Sequence, residues 1–389
     1  MQEIFADTPE ALAELAAALA GSEWLALDTE FMREKTYLPR LCLIQVANED
    51  IAACVDPLAC ADMGPLLDVV YDGSILKVLH AARQDLEIFL NTWHRIPLPL
   101  FDTQPAAALL GYGDQVGYAK LVKEVLDVDL AKDHSRTDWC RRPLDTGQTR
   151  YALDDVIYLG RVYLQMRGRL SDRERLQWLA ADFADLADPA TYVQNPRTAW
   201  KRVKGRQPLR GVQLAVLQEL AAWREEQARA RDLPRRWLVK DEVLVELARR
   251  RPREQKQLDR VRGMEAGVAR RDGSALLAAI ERGAAQPKDA WPSERRDNRP
   301  LSALEEAKVD LLSAALRVAA EQHQLSPHAV ATRKDLEKLV RGNTEVSLLE
   351  GWRREVAGST LLDVLHGNLR LECSADAIRI THPPEPARD

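Results

Sequence analysis

The segment Trp24-Leu25-Ala26-Leu27-Asp28-Thr29-Glu30-Phe31 is typical of a β-strand, and it carries two carboxylates among apolar residues. Side chains alternate along a strand, so Asp28 and Glu30 share one face, about 6.6–6.8 Å apart. Either this is the solvent face of an edge strand, or it is a partly apolar face on which a cation compensates the two charges. The second interpretation follows because unpaired carboxylates are costly to bury.

Apolar runs that follow this strand predict an α/β fold. Residues 41–47 and 51–55 are joined by the polar turn Asn48-Glu49-Asp50, which indicates an antiparallel hairpin. Further strands are predicted at 75–80 and near 100–102, each followed by a segment with helical periodicity, and helical patterns continue over 117–126 and 146–170. Residues 1–190 are therefore predicted to form a mixed sheet flanked by helices.

The chain changes character beyond Asp188-Pro189. Leu, Ala and Val recur there with helical spacing, until a weak strand pattern near residues 369–380. The interval 283–300 is rich in proline and charge and indicates a linker. It separates two predicted all-α domains, at residues 207–285 and 300–375.

Charge is distributed unevenly along the 389 residues, whose net charge is −5. Residues 1–200 contain 19 lysines and arginines against 31 acidic residues, whereas residues 201–260 contain 17 against nine. A basic surface beside an acidic body is where a polyanion could bind. The same pattern is also compatible with ordinary solvated helix faces.

Composition excludes several classes of protein. No apolar run approaches the roughly 18 residues that a membrane helix needs, and the acidic N-terminus lacks the features of a secretory signal. The five cysteines form no Cys-x-x-Cys pair, and their odd number favours a reducing compartment over a disulfide scaffold or a cysteine-zinc module. We therefore expect a cytoplasmic protein without a membrane partner.

Two further carboxylates and a phenol fall on predicted helices. Asp85 follows the strand that ends at His80, where an acidic residue could also serve only to complement the helix dipole. Tyr151 and Asp155 are four residues apart and lie about 5–6 Å from each other on one helix face. Asp154 could replace Asp155 as a ligand, but it points about 100° away, so the geometry favours Asp155.

Together, Asp28, Glu30, Asp85 and Asp155 offer the hard oxygen ligands that suit Mg²⁺ or Mn²⁺. Two such ions about 3.5–4 Å apart can stabilise both the attacking and the leaving oxygen of a phosphoryl displacement. A phenol beside the attacking water could orient that water, which gives Tyr151 a role in the chemistry.

Four motifs in this order resemble the bacterial ribonuclease D family: Asp28-Thr29-Glu30-Phe31, Thr36-Tyr37-Leu38-Pro39-Arg40-Leu41-Cys42-Leu43-Ile44-Gln45, His80-Ala81 leading to Asp85, and Tyr151-Ala152-Leu153-Asp154-Asp155. The resemblance implies a ribonuclease-H-like exonuclease fold and 3′→5′ exoribonuclease activity of the DEDDy group. It also implies that Asp28, Glu30, Asp85 and Asp155 bind two divalent cations and that Tyr151 is the group's distinguishing tyrosine.

The resemblance extends to the helical blocks, which are similar to HRDC domains, the second being diverged. The segment around Lys132, Ser135 and Arg142 resembles the family's substrate-side loop, and we expect these three residues to contact phosphates. Arg235 and Arg236 of the basic block are further candidates for RNA contacts. Trp200 and Trp237 could stack on bases, but packing between helices is the favoured interpretation.

The function implied is trimming of RNA 3′ ends by a monomeric enzyme that releases nucleoside 5′-monophosphates. We expect precursor tRNA and other structured RNA with 3′ extensions to be its partners. One alternative is a DNA 3′→5′ exonuclease, because four carboxylates do not distinguish the two sugars. Another is a non-catalytic RNA-binding protein on the same scaffold, which the presence of all five expected residues disfavours.

Overall fold

The computed structural model describes residues 1–131, 137–292 and 299–383. They divide into two compact units. The first contains Met1–Glu30, Cys42–Ala187 and the chain from Arg299 onward, and the second contains Phe31–Leu41 and the chain from Asp188 to Asn298. The bounds given above for three domains stay predictions.

The main sheet has six strands. They are β1 (Gln2–Ala6), β2 (Trp24–Met32), β3 (Arg40–Ala47), β4 (Ile51–Val55), β5 (Leu76–Leu79) and β6 (Leu100–Asp102). Their order is β1-β4-β3-β2-β5-β6, so β2 lies inside the sheet and not at an edge. β3 and β4 are antiparallel, whereas β1 is parallel to β4, and both β2 and β6 are parallel to β5. The predicted mixed sheet and its hairpin are confirmed.

The start of the chain is not predicted from the sequence. β1 pairs with β4, with Gln2 opposite Ile51, and the helix α1 (Pro9–Leu19) follows. α1 begins at an N-cap, since the Thr8 side chain accepts a hydrogen bond from Ala11 N at 3.2 Å. β1 has five residues, of which only the last is buried. Its pairing is a long-range contact that no local pattern reveals.

Six further helices complete the first 187 residues. They are α2 (Gly64–Val70), α3 (Arg83–Trp93), α4 (Thr103–Leu109), α5 (Tyr118–Leu126), α6 (Thr146–Asp172) and α7 (Ala180–Ala187). α6 has 27 residues and starts with a capping box, in which Asp145 and Gln148 each accept a hydrogen bond from the other's backbone N–H. This cap fixes the first turns of α6, which carry Tyr151 and Asp155.

In the second unit, the described residues from Asp188 onward contain helices and no strand. Its helices are α8 (Val212–Ala230), α9 (Arg235–Leu238), α10 (Asp241–Arg250), α11 (Gln255–Leu258) and α12 (Ala266–Ala285). α12 approaches α8 closely at Gly283, where a Cβ would lie 2.5 Å from the Cα of Val216. Trp200 packs in this core, being 2% exposed, as expected. Trp237 is 57% exposed, so the expectation that it packs between helices is wrong.

The C-terminal part of the first unit contains α13 (Ala303–Gln322), α14 (Pro327–Val330), α15 (Arg333–Val340), α16 (Gly351–Arg353) and α17 (Ser359–His366). It ends in an antiparallel pair, β7 (Arg370–Cys373) and β8 (Ile378–Thr381), and is therefore not purely helical. Trp352 stacks on Trp178 with 4.7 Å between ring centroids. Arg175 donates hydrogen bonds to the carbonyls of Leu109 and His323 at 2.8 and 2.6 Å. These contacts join the C-terminal helices to the rest of the unit.

No helix in the described parts of the chain combines the length and the apolar character required to cross a bilayer.

Gly160 of α6 faces the ring of Trp24 in β2, and a Cβ at this position would lie 2.6 Å from Trp24 Cζ3. We expect Gly160→Ala to reduce the free energy of unfolding by about 1–3 kcal/mol, because a well-packed interface cannot accept the added methyl group. The measurement is denaturant unfolding of the full chain.

Gly168 on the same helix provides the matched control. A Cβ there meets no atom within 4 Å, so Gly168→Ala should leave stability unchanged or raise it by about 0.5–1 kcal/mol. Equal effects of the two substitutions would show that the Trp24 contact does not limit the spacing of α6 and β2.

Candidate active site

β2 and α6 bring three of the predicted carboxylates together. One oxygen from each of Asp28, Glu30 and Asp155 lies within 4.8 Å of the others. Asp154 is not part of this group, since its carboxylate forms an ion pair with Arg150 at 2.8 Å. The strand that carries Asp28 and Glu30 and the helix that carries Asp155 therefore bring these carboxylates to one place.

Asp85 joins the site from the first turn of α3, where it is 7% exposed. Its carboxylate accepts a hydrogen bond from the Thr29 hydroxyl at 2.5 Å, and its charge raises the pKa of Asp28. The turn before α3 is held by Asp102, which accepts from Ala81 N and Ala82 N at 2.9 Å each. Asp102 was not foreseen as a supporting residue, although an acidic residue at a strand end before a helix is a recognisable N-cap signal.

Burial raises the pKa of every carboxyl group in this cluster, and nearby negative charges add to the effect. Burial raises the pKa of Asp28, and the charges of Asp85, Asp155 and Glu30 add to the effect. Burial, followed by the charges of Asp155 and Asp85, raises the pKa of Glu30 to about 9. Burial likewise raises the pKa of Asp85 and of Asp155 to about 7. Without a compensating cation, the protein resists holding all four groups ionised at once.

Tyr151 lies beside the cluster. Burial, together with the charges of Asp155, Glu30 and Asp28, raises the pKa of its phenol, and a hydrogen bond links it to Asp155. Its ring centroid is 6.0 Å from that of the buried Trp139. The phenol is thus protonated at neutral pH and can act as a hydrogen-bond donor but not as a base.

Tyr118 and His80 support the first turns of α6, a role that the sequence does not indicate. The Tyr118 hydroxyl donates to the carbonyl of Asp155 at 2.5 Å, and its ring centroid is 5.5 Å from that of His80. His80 Nδ1 and Nε2 lie 2.8 Å from Thr103 Oγ1 and 3.0 Å from the carbonyl of Val116. Burial lowers the pKa of His80 to about 4, so this imidazole is neutral.

The donor set fits divalent cations of the hard type. Asp28, Glu30 and Asp155 offer carboxylate oxygens close enough to share an ion, and such oxygens are the ligands that Mg²⁺ and Mn²⁺ prefer. A cation would also offset the repulsion that raises these pKa values. Asp85 is not among the three carboxylates whose oxygens lie this close together, although its charge acts on Asp28.

The predicted substrate contacts have different surroundings. Lys132 and Ser135 lie outside the described residues. The Arg142 guanidinium donates to both oxygens of Asp56, at 2.5 and 2.8 Å, and to the carbonyls of Cys42 and Trp139. These bonds occupy Arg142 within the protein, so its phosphate contact stays a prediction that its surroundings do not favour.

In the basic block, Arg235 and Arg236 differ in whether their side chains are already bound within the protein. Arg235 is engaged by Glu225, with bonds of 2.5 and 2.6 Å. Arg236 is exposed, and no ion pair or hydrogen bond of its side chain is found within the described residues. Arg236 is therefore the better placed of the two for a contact with RNA.

Cys42 of β3 and Cys140 form a disulfide with a Cα–Cα distance of 5.2 Å. The odd number of cysteines predicts reduced thiols, and this disulfide contradicts that prediction. The two residues are 98 positions apart in sequence, and no local spacing signals their proximity. Cys54 and Cys60 are free and buried, and Cys373 is free and exposed.

The chain is similar to known proteins over nearly its whole length. A family model described as 3′-5′ exonuclease matches residues 4–171, and the HRDC domain model matches residues 213–280. Ribonuclease D of Gluconacetobacter diazotrophicus is 40% identical over 383 residues, covering 97% of this chain and 96% of the relative. Ribonuclease D of Pseudomonas paraeruginosa is 42% identical over 352 residues, covering 88% and 92%.

Among solved structures, Escherichia coli RNase D matches with a TM-score of 0.81 and 34% identity, covering 94% of this chain and 99% of that one. The predicted ribonuclease-H-like exonuclease fold followed by a helical HRDC domain is confirmed. Identity of this extent over nearly the whole of both chains establishes the family and its reaction: this chain belongs to the ribonuclease D family of 3′→5′ exoribonucleases.

Proposed function

We propose that this exoribonuclease matures the 3′ ends of precursor tRNA, and of other structured RNA with 3′ extensions, by two-metal-ion hydrolysis. The observation that carries the proposal is the cluster of Asp28, Glu30 and Asp155, with oxygens within 4.8 Å of one another. Support for structured RNA comes from the E. coli relative, described as an exoribonuclease involved in structured RNA processing. Action as a cytoplasmic monomer, and the likeness of residues 300–375 to an HRDC domain, belong to the same proposal.

Each site residue has a distinct role in this proposal. Asp28, Glu30, Asp85 and Asp155 hold the cations through carboxylate oxygens. Bound divalent cations supply electrostatic stabilisation of the attacking and leaving oxygens in an in-line displacement. Tyr151, which burial keeps protonated, hydrogen-bonds the attacking water and orients it toward the scissile phosphate. The products are a nucleoside 5′-monophosphate and an RNA shortened by one nucleotide.

The natural substrate is tested with precursor tRNA that carries a 3′ extension, incubated with Mg²⁺ or Mn²⁺. We expect nucleotide-by-nucleotide shortening that slows at the mature end, where the folded acceptor stem begins. A single-stranded RNA and the DNA of identical sequence serve as controls, and the RNA should be shortened faster. Products are resolved on denaturing gels, and the mononucleotides are identified as 5′-monophosphates.

Faster degradation of the DNA would replace this proposal with the DNA exonuclease. Degradation that continues through the acceptor stem at an unchanged rate would overturn the maturation role. It would leave the exonuclease activity itself unaffected.

Two adjacent carboxylates of α6 test the metal site. Asp155 belongs to the cluster, whereas Asp154 pairs with Arg150. Asp155→Asn should abolish hydrolysis and remove the rise in thermal midpoint that Mg²⁺ or Mn²⁺ gives the wild type. In chelator it should be at least as stable as the wild type, because one repelling charge is gone.

Asp154→Asn is the matched control and should keep both activity and the metal-dependent stabilisation. Near-wild-type turnover of Asp155→Asn, or loss of metal response in Asp154→Asn alone, would refute the assignment. The measurements are single-turnover hydrolysis and thermal unfolding with and without metal.

The role of Tyr151 is tested by removing only its hydroxyl. Tyr151→Phe keeps the ring and all four carboxylates, so the metal-dependent rise in thermal midpoint should survive. The single-turnover rate should fall by about 10²–10⁴-fold, the usual scale for one positioned acid-base group. Affinity for RNA should change little, because the water is aligned in the transition state.

Tyr158, two turns further along α6, is the control. Its ring packs under Arg161, with the guanidinium carbon 5.4 Å from the ring centroid, and Tyr158→Phe should be nearly neutral. A rate for Tyr151→Phe within about threefold of the wild type would mean that this tyrosine only packs beside the site.

A further inference from the structure

The second unit contains a cavity of about 400 Å³, within the range of about 300–1,000 Å³ that is usual for ligand sites. Its lining combines residues from Phe31–Leu41 with residues from α8, α9 and the chain before α8. The charged side chains that line it are five arginines and two carboxylates: Arg33, Arg202, Arg224, Arg235, Arg236, Glu225 and Asp241. The lining therefore has an excess of three positive charges.

Two of the arginines are neutralised inside the lining. Arg235 binds Glu225 through two hydrogen bonds of 2.5 and 2.6 Å. Arg224 donates to Asp241 at 2.8 Å and to the carbonyl of Val239 at 2.8 Å. These pairs use both carboxylates of the lining, and neither Arg202 nor Arg236 forms an ion pair with them.

Hydrogen bonds of Tyr37 and Leu38 hold the wall of the cavity that contains these pairs. Tyr37 is 9% exposed, and its hydroxyl donates to Glu225 at 2.5 Å. The backbone N–H groups of Tyr37 and Leu38 donate to Asp232 at 3.0 and 3.1 Å, and the Arg235 guanidinium carbon lies 4.7 Å from the Tyr37 ring centroid. These contacts hold this wall of the cavity in place before a ligand binds.

Arg202 and Arg236 are exposed cations of the lining. Arg202 donates to the amide oxygen of Gln194 at 2.6 Å, a neutral partner that leaves its charge in place. Arg236 has no partner of its own within the described residues. A guanidinium presents paired N–H donors that match the oxygens of a phosphate, which makes this arrangement selective for phosphate groups over simple anions.

We propose that this cavity binds a phosphodiester of the single-stranded RNA substrate, held by Arg202 and Arg236. The proposal rests on the RNA substrate of the enzyme and adds a defined binding site to it. The occupant is a segment of the RNA backbone, because arginine contacts to phosphates position a strand without selecting its sequence. Arg235 is paired with Glu225, so it forms part of the cavity wall and does not contact the RNA.

The test compares two double variants with the same loss of charge. Arg202→Gln with Arg236→Gln removes both proposed contacts. Arg249→Gln with Arg250→Gln removes two exposed cations of α10 that pair with Glu246 and do not line the cavity. Affinity for a 20-nucleotide single-stranded RNA is measured by fluorescence anisotropy at several KCl concentrations in chelator, so that no hydrolysis occurs.

We expect the cavity variant to bind at least tenfold more weakly at low salt. The slope of log K against log salt should fall by about 0.7, the contribution of one neutralised phosphate on a single strand. The α10 variant should bind like the wild type. Arg202→Lys with Arg236→Lys should retain most of the slope but not the full affinity, because lysine keeps the charge and loses the paired donors.

Three results would overturn the proposal: an unchanged slope in the cavity variant, an equal loss in the α10 variant, or a site that binds AMP and not the RNA strand. The lysine variant guards against a loss caused only by misfolding, since it should retain most of the salt slope. Because no step requires hydrolysis, failure here is distinct from failure of the maturation proposal, which would appear as intact precursor tRNA after incubation of the wild type with metal.

Discussion

The exonuclease unit is organised around four carboxylates that repel one another. Asp28 and Glu30 lie on an inner strand of the sheet, and Asp85 and Asp155 reach the same place from two helices. Burial and nearby negative charges raise the pKa of each group, that of Glu30 to about 9. An assembly of this kind costs folding free energy that the apolar core must offset, and its only chemical advantage is affinity for cations.

Maintaining that assembly requires the spacing of α6 and β2 to be fixed. Trp24 shares the alternation of Asp28 along β2, and its ring packs against Gly160, five residues beyond Asp155 on α6. A residue without a Cβ lets the helix approach the strand closely enough for carboxylates of both to share an ion. Tyr118 adds a second restraint by holding the carbonyl of Asp155 at 2.5 Å. The positions of these carboxylates are thus set by the packing of α6 on β2 and by a hydrogen bond to the backbone. They are not set by contacts among the carboxylates themselves.

Local sequence patterns predicted those parts of the molecule that depend on short-range periodicity. The hairpin of β3 and β4, the strand spacing of Asp28 and Glu30, and the helix spacing of Tyr151 and Asp155 all follow from periods of two or about four residues. The parts that depend on contacts between distant residues were not predictable in this way. They include the pairing of β1 with β4, the Cys42–Cys140 disulfide and the carbonyl contact of Tyr118.

The same limit applies to charged side chains, whose position in the sequence does not indicate whether they are available. Arg142 and Arg235 lie in segments expected to bind RNA, yet both are occupied by carboxylates of the protein itself, Asp56 and Glu225. A charge count over residues 201–260 includes such internally paired arginines together with open ones. What distinguishes them is whether a buried acid lies within bonding distance, and that depends on the fold. The excess of positive charge in this segment therefore indicates RNA binding only through the arginines left over after internal pairing, such as Arg202 and Arg236.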